Sequence, residues 1–326
     1  MAASISAGHG LFDRIPERLR LSPRSYSIIT RVSLVLVAAI IVTGAGVRLT
    51  QSGLGCPQWP QCTADRLVPR AAAGSGAAIE FANRAITGLV SVAVIVAVLG
   101  ALARAPRRRD LTYLALGLVG GIVAQIVLGG VTVLTHLNPV SVGAHFLLSQ
   151  IIVWNAVVLV WRAGTPPGPR RPVVGPAIRN LATALVPLLA LVMVLGVGLT
   201  GTGPHSGDAM AHRFTFDTPT VARFHGIVVE TFTAVVATML ILAWRQRAPR
   251  DVLRRGSVVL LAAIAQSVVG YTQYFTGIPA VLVGVHVLFA TVLWISVLRF
   301  HLGLREAVAP AESADLARVG SLLTSR

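Results

Sequence analysis

Apolar residues in this chain gather in long, nearly unbroken runs at about 28–48, 79–103, 111–135, 140–161, 180–201, 221–243, 256–276 and 279–299. Each run reaches or exceeds the roughly 20 residues that a helix needs to cross the hydrocarbon of a bilayer. Polar and charged residues are confined largely to the connections between them. The pattern predicts an all-α integral membrane protein with eight transmembrane helices. Composition agrees: 54% of the chain is hydrophobic and 12% charged, and mean hydropathy is +0.75. A soluble domain spends about 25% of its residues on charge.

The net charge of +16 invites a nucleic-acid reading, but its distribution argues against one. The chain has no lysine, and its arginines sit mostly in alternate connections. The N-terminal tail carries Arg14, Arg18, Arg20 and Arg24. The second connection is "RAPRRRD" (104–110), the fourth has Arg162, Arg170 and Arg171, and the sixth is "RQRAPRDVLRR" (245–255). The C-terminal tail adds Arg305, Arg318 and Arg326. By contrast "THLNP" (135–139) and "TGIP" (276–279) contain no arginine, and the first and fifth connections mix Arg66, Arg70 and Arg213 with Asp65, Asp208 and Asp217. Under the positive-inside rule both termini are expected in the cytoplasm of a multi-pass plasma-membrane protein. Residues 1–27 lack a small-residue cleavage site after an apolar core, so no cleavable signal peptide is expected.

The chain also repeats. "AQIVLGG" (124–130) matches "AQSVVGY" (265–271), and "VGAHFLLSQ" (142–150) matches "VGVHVLFAT" (283–291), at one constant offset. "EFANRAITGLV" (80–90) lies opposite "ARFHGIVVETF" (222–232), which sets Asn83 against His225. "VTGAGVRLTQSG" (42–53) has a weaker echo in "VLGVGLTGTGPHSG" (194–207). The expected architecture is two fused four-helix bundles, joined by the proline-rich "GTPPGPRRPVVGP" (164–176). An even number of spans per half gives both halves one orientation, so a pseudo-twofold axis would run along the membrane normal.

Of the eight histidines, His145, His225 and His286 fall inside spans. His9 and His301 are expected to be solvated near the ends of the chain; His136, His205 and His212 fall at or in connections on the outer side. A titratable residue within a span is a functional candidate, because an unpartnered one is costly. The alternative is a histidine hydrogen-bonded to a neighbouring backbone, which three in related repeat positions make less attractive. Counted from the outer face, His225 lies about four residues into its span and His286 about seven. At roughly 1.5 Å per residue that is one level to within a turn. Two neutral imidazoles facing across a bundle at one depth suit the two axial positions of a haem iron. The equivalent pair in the first half is Asn83 and His145, one poor ligand and one good. Two unequal porphyrin-sized pockets follow: a tight bis-histidine site and an open one where chemistry can occur.

Glu80 belongs to the first pocket alone, since Ala222 stands at its repeat position. It precedes Asn83 by three residues and shares its helical face. Two readings stand: a group that handles protons or steadies positive charge on a substrate, and an interfacial carboxylate paired with Arg84 or Arg48. With only Glu80 and Glu230 in or near the spans, carboxylates are too few for a di-iron site.

These residues resemble a family. "TGAGVRLTQSGLGCPQWPQC" (43–62), "EFANR" (80–84), "HLNPVSVGAH" (136–145), "RFHG" (223–226) and "VGVH" (283–286) are similar to the motifs of the haem A synthases, from about residue 30 to 300. The family pattern has a histidine in "E-x-x-H-R" where this chain has Asn83. The resemblance implies oxidation of the C8 methyl of haem O to a formyl group by successive hydroxylations, for an aa3-type oxidase. It implies a haem b held by His225 and His286, a substrate haem faced by His145, Asn83 and Arg84, and a catalytic Glu80. It implies the membrane lipid, a haem O synthase, an electron donor and oxidase assembly as surroundings, with a second copy of the chain a further candidate partner. The chain then divides into a cytoplasmic tail (1–27), a half with the substrate pocket (28–162), a linker (163–179), a half with haem b (180–300) and a second tail (301–326).

Two rival classes remain at this level. A non-catalytic b-type haem electron carrier needs the same histidines but has no evident use for Glu80. A transporter would explain spans and repeats, with helix interruption at midplane as its mark, for which Gly129 and Gly130 are a weak hint. The two cysteines, Cys56 and Cys62, fall in the first outer connection. That side is oxidising, so they are expected to pair; two thiols without a nearby histidine do not fill a zinc site. The pair is read either as a clasp or as a bond that opens and closes beside the substrate pocket.

Overall fold

The computed structural model describes residues 16, 19–69 and 74–308. His9, Arg14, Arg18, Arg70, Arg318 and Arg326, with most of both tails, lie outside the described residues. Eight helices cross the molecule: α1 (Pro23–Leu49), α2 (Gly74–Ala103), α3 (Arg109–Leu134), α4 (Pro139–Ala163), α5 (Pro176–Thr202), α6 (Thr218–Arg245), α7 (Arg250–Phe275) and α8 (Ala280–Leu302). Each carries one of the apolar runs, and all eight are long and apolar enough to span a membrane. Only 22–39% of each helix's most apolar window is buried, so the protein keeps an apolar exterior such as only lipid tolerates.

The helices overrun their apolar runs because polar caps set their ends. Ser22 accepts the Ser25 N–H ahead of Pro23, and Asn138 accepts the Val140 N–H ahead of Pro139. Asp217 caps α6 by accepting the N–H and Oγ1–H of Thr220 at 3.0 and 2.5 Å, which holds its carboxyl below the usual carboxylate range. The α6 helix therefore begins earlier than its apolar run, so His225 stands seven residues from the helix start where the apolar run gave about four. His301 differs too: it falls in the last turn of α8, half-buried, rather than beyond the span.

Within the first half, α1 packs on α2, α2 on α3, α3 on α4, and α4 back on α1; in the second, α5 to α8 close the same cycle. The halves meet through α1 and α4 on one side and α5 and α8 on the other. The buried core includes Val157 of α4, Leu185 of α5 and Val297 and Leu298 of α8, and across α8 and α4 the Trp294 indole N–H donates to the Gln150 carbonyl at 2.9 Å. The helix α3 is continuous through Gly129 and Gly130, without the break that a midplane transport site would need.

One element was not legible in the pattern. Within the connection after α4, β1 (Arg170–Pro172) pairs antiparallel with β2 (Arg305–Ala307), placing Arg171 opposite Glu306. Their side chains form an ion pair at 2.9 Å. Three-residue strands are too short to leave a periodic signal, and this pairing joins segments far apart in sequence.

Candidate functional site

The histidines of the three spans stand on a common plan. His145 lies six residues into α4, His225 seven into α6 and His286 six into α8, counted from the end that carries the Cys56–Cys62 loop. Each ring rests against a glycine of the neighbouring helix. A Cβ at Gly129 would stand 3.2 Å from His145 Cε1, one at Gly196 would stand 3.2 Å from His225 Cε1, and one at Gly270 would stand 3.1 Å from His286 Cε1. The fourth seat pairs Gly44 with Asn83, whose Nδ2 lies 3.9 Å from the corresponding point. Small residues let two helices approach within a membrane; here they also make room for a ring. Asn83 is tied down by Thr43, whose hydroxyl donates to Asn83 Oδ1 at 2.8 Å.

Two glutamines set the histidine helices. Gln125 donates to the His145 carbonyl at 3.0 Å and Gln266 to the His286 carbonyl at 3.1 Å, with the same residue spacing. The rings are less satisfied. The buried Nδ1 atoms of His145 and His286 have no hydrogen-bond partner among the described residues. His286 and His225 lie within electrostatic reach of each other, and the Val192 carbonyl lies against His225. A buried imidazole without partners is costly and suits a ligand. Among the described residues no group of three or more His, Cys, Asp or Glu side chains could hold a metal ion. Two nitrogens suffice only where the ligand brings its own equatorial donors, as a porphyrin does. The residues present therefore fit haem.

Above the first half the picture is asymmetric. Glu80, 6% exposed on α2, accepts the Cys56 N–H at 2.7 Å and pairs with Arg84 at 2.5 Å. Of the two partners expected for Glu80, the structure selects Arg84. The same guanidinium donates to the carbonyls of Cys56 at 3.0 Å and Gln61 at 3.2 Å. Cys56 and Cys62 form a disulfide and are both buried. The Trp59 ring lies on Gly130, where a Cβ would come within 2.7 Å of it. At Gly55 a Cβ would meet the Gly76 and Ala77 backbone at 2.6 Å, so the loop lies directly on the start of α2. Consecutive glycines of α3 thus seat the His145 ring and the loop tryptophan. Ala222, at the repeat position in the second half, has no carboxylate with which to hold such a strap.

Sequence reasoning singled out the histidines, Glu80, Arg84, Asn83 and the cysteines, but not the ring-seat glycines, Thr43 or Trp59. The glycines were visible as repeat matches; their function was not, because a seat is a relation between two helices.

The model of the COX15-CtaA family, described as cytochrome oxidase assembly protein, matches residues 27–298. The chain is 27% identical over 279 residues to a protein named heme A synthase from Listeria monocytogenes serotype 4a (strain HCC23), covering 81% of this chain and 90% of that one. It is 31% identical over 122 residues to a heme A synthase from Lysinibacillus sphaericus (strain C3-41), covering 37% of this chain and 39% of the relative. A heme A synthase from Alkalihalophilus pseudofirmus (strain OF4) is 28% identical over 135 residues, 41% of this chain and 44% of that one. The family match takes in all eight helices almost entirely, and on it the chain belongs to the COX15-CtaA family of cytochrome oxidase assembly proteins.

Proposed function

We propose that this protein is a haem A synthase, oxidising the C8 methyl of haem O to a formyl group by successive hydroxylations and so supplying haem A to an aa3-type oxidase. The observation that carries this reading is the asymmetry of the glycine-seated sites. The second half offers two imidazoles, His225 and His286, at one depth. The first offers His145 and Asn83 beneath a carboxylate and a strapped loop. A haem b held by His225 and His286 would relay single electrons. The substrate haem would lie in the first half against His145, with Asn83 and Arg84 lining the site.

Glu80 is the catalytic group in this reading. Its carboxylate is buried, oriented by the Cys56 N–H and Arg84, and sits over the substrate half alone. A fixed negative charge there steadies positive charge developing on the substrate, or accepts the proton that an oxidised methyl releases. The carrier alternative leaves this arrangement without a use. Localisation follows the arginine pattern: a multi-pass plasma-membrane protein with both termini in the cytoplasm and the Cys56–Cys62 loop outside. The two halves are read as pseudo-twofold copies, and the same cycle of helix contacts in each supports that. Haem O synthase, an electron donor and the oxidase assembly are the partners this role requires.

Glu80→Gln keeps the carboxylate's shape and a hydrogen-bond acceptor for Cys56. Extracted pigments are expected to show haem b retained and the hydroxylated and formyl haems lost. Normal haem A from that variant would overturn the catalytic assignment.

A further inference from the structure

Arg48 is left over once Glu80 has taken Arg84. It lies in the last turn of α1, half-buried, and its guanidinium makes no ion pair or hydrogen bond among the described residues, with no carboxylate within electrostatic reach. The C-terminal end of α1 offers it only a partial negative charge. A cation set into a membrane protein without a counter-charge is costly.

The position of Arg48 is held from above. The first and fifth connections meet where the Gly53 N–H donates to the Gly207 carbonyl at 2.9 Å. Gly207 has φ +101°, and a Cβ there would stand 3.3 Å from Arg48 Cγ and 3.1 Å from Leu137 Cδ1. The fifth connection therefore lies flat on the Arg48 stem. On the other side, Leu49 abuts Gly284 of α8. Arg48 is enclosed where the two halves join.

Its register on α1 indicates what it faces. Arg48 follows Gly44, the seat of Asn83, by four residues, which is one turn along the same helical face. At about 1.5 Å per residue it therefore stands about 6 Å nearer the loop end than the seat. The carboxylates of a ring in this pocket must point toward the nearer aqueous face, the same end of α1 at which Arg48 stands. In the second half the repeat position of Arg48 is Thr200, so the cation serves the first pocket only.

We propose that Arg48 is the anchor for a carboxylate of the tetrapyrrole bound in the first half, a specificity-determining residue that orients the ring beneath Glu80. This rests on the haem reading above. The test uses full-length protein in detergent, as purified, titrated with iron protoporphyrin IX and with its dimethyl ester while absorbance and tryptophan fluorescence are followed. Wild type is expected to prefer the free acid by roughly ten- to a hundredfold, the scale of a charge-assisted hydrogen bond. Arg48→Gln should bind acid and ester alike, and Arg48→Lys should keep part of the preference. Unchanged preference in Arg48→Gln, or none in wild type, overturns the proposal and leaves the proposed function standing. Loss of bound phospholipid from Arg48→Gln with the acid preference intact overturns it in favour of a lipid phosphate. Failure of folded wild type to take up either compound overturns both readings. Should Arg48→Gln not fold, the wild-type comparison with Arg48→Lys decides.

Discussion

Replacing Arg84 by methionine tests the strap that holds the loop over the first pocket. The Arg84–Glu80 pair is 25% and 8% exposed by side chain, so solvent screens it little. Removing one partner of such a pair leaves an uncompensated buried carboxylate, at about 3–5 kcal/mol. The carbonyls of Cys56 and Gln61 also lose their donor, at about 1 kcal/mol each where water cannot replace it. Arg84→Met should therefore destabilise the loop by at least about 3 kcal/mol. Glu80→Gln should cost less, about 1 kcal/mol, because the amide oxygen still accepts the Cys56 N–H and the more exposed Arg84 guanidinium keeps the loop carbonyls as partners. The double variant carries no stranded charge and should recover about 2 kcal/mol relative to Arg84→Met alone. Unfolding in detergent gives the global value, and the rate at which Cys56 and Cys62 are alkylated under mild reductant gives the local one. If Arg84→Met costs less than about 1 kcal/mol, or the double variant is no more stable than Arg84→Met, the ion pair is not what holds the loop.

Two further outcomes are expected. Gly270→Ala puts a methyl 3.1 Å from His286 Cε1 and should displace the ring by a few tenths of an ångström, shifting or weakening the low-spin haem spectrum; Gly46→Ala, with nothing within 4 Å, is the matched control and should leave it unchanged. Replacing Cys56 and Cys62 together by serine removes a short-loop constraint of about 2 kcal/mol; the haem b spectrum should persist while haem A falls, and an unaltered haem A yield would reduce the pair to a clasp.

Much of this protein was legible in one dimension. The lipid imposes a length and an apolarity on every crossing helix, so eight runs gave eight helices. Intramembrane histidines and a lone carboxylate are expensive enough to stand out from an apolar background, and the repeat aligned them in pairs. Helix ends were less legible, because caps such as Asp217 sit in polar sequence that the apolar runs do not include. That is why His225 stands further from its helix start than the apolar run gave, and His301 lies inside α8 rather than beyond it.

What the sequence by itself determined is the inventory: an all-helical membrane chain, two related halves, three membrane histidines, Glu80 in one half only, and two cysteines in one connection. The tertiary structure decided the pairings. Both Arg84 and Arg48 were candidates for Glu80, and only helix position and loop path show Arg84 bonded to it and the Arg48 guanidinium without a partner among the described residues. The four glycines became ring seats only when neighbouring helices closed on them. Periodicity records which face of a helix is apolar, whereas a seat, a strap or a stranded charge depends on which two faces meet and at what height.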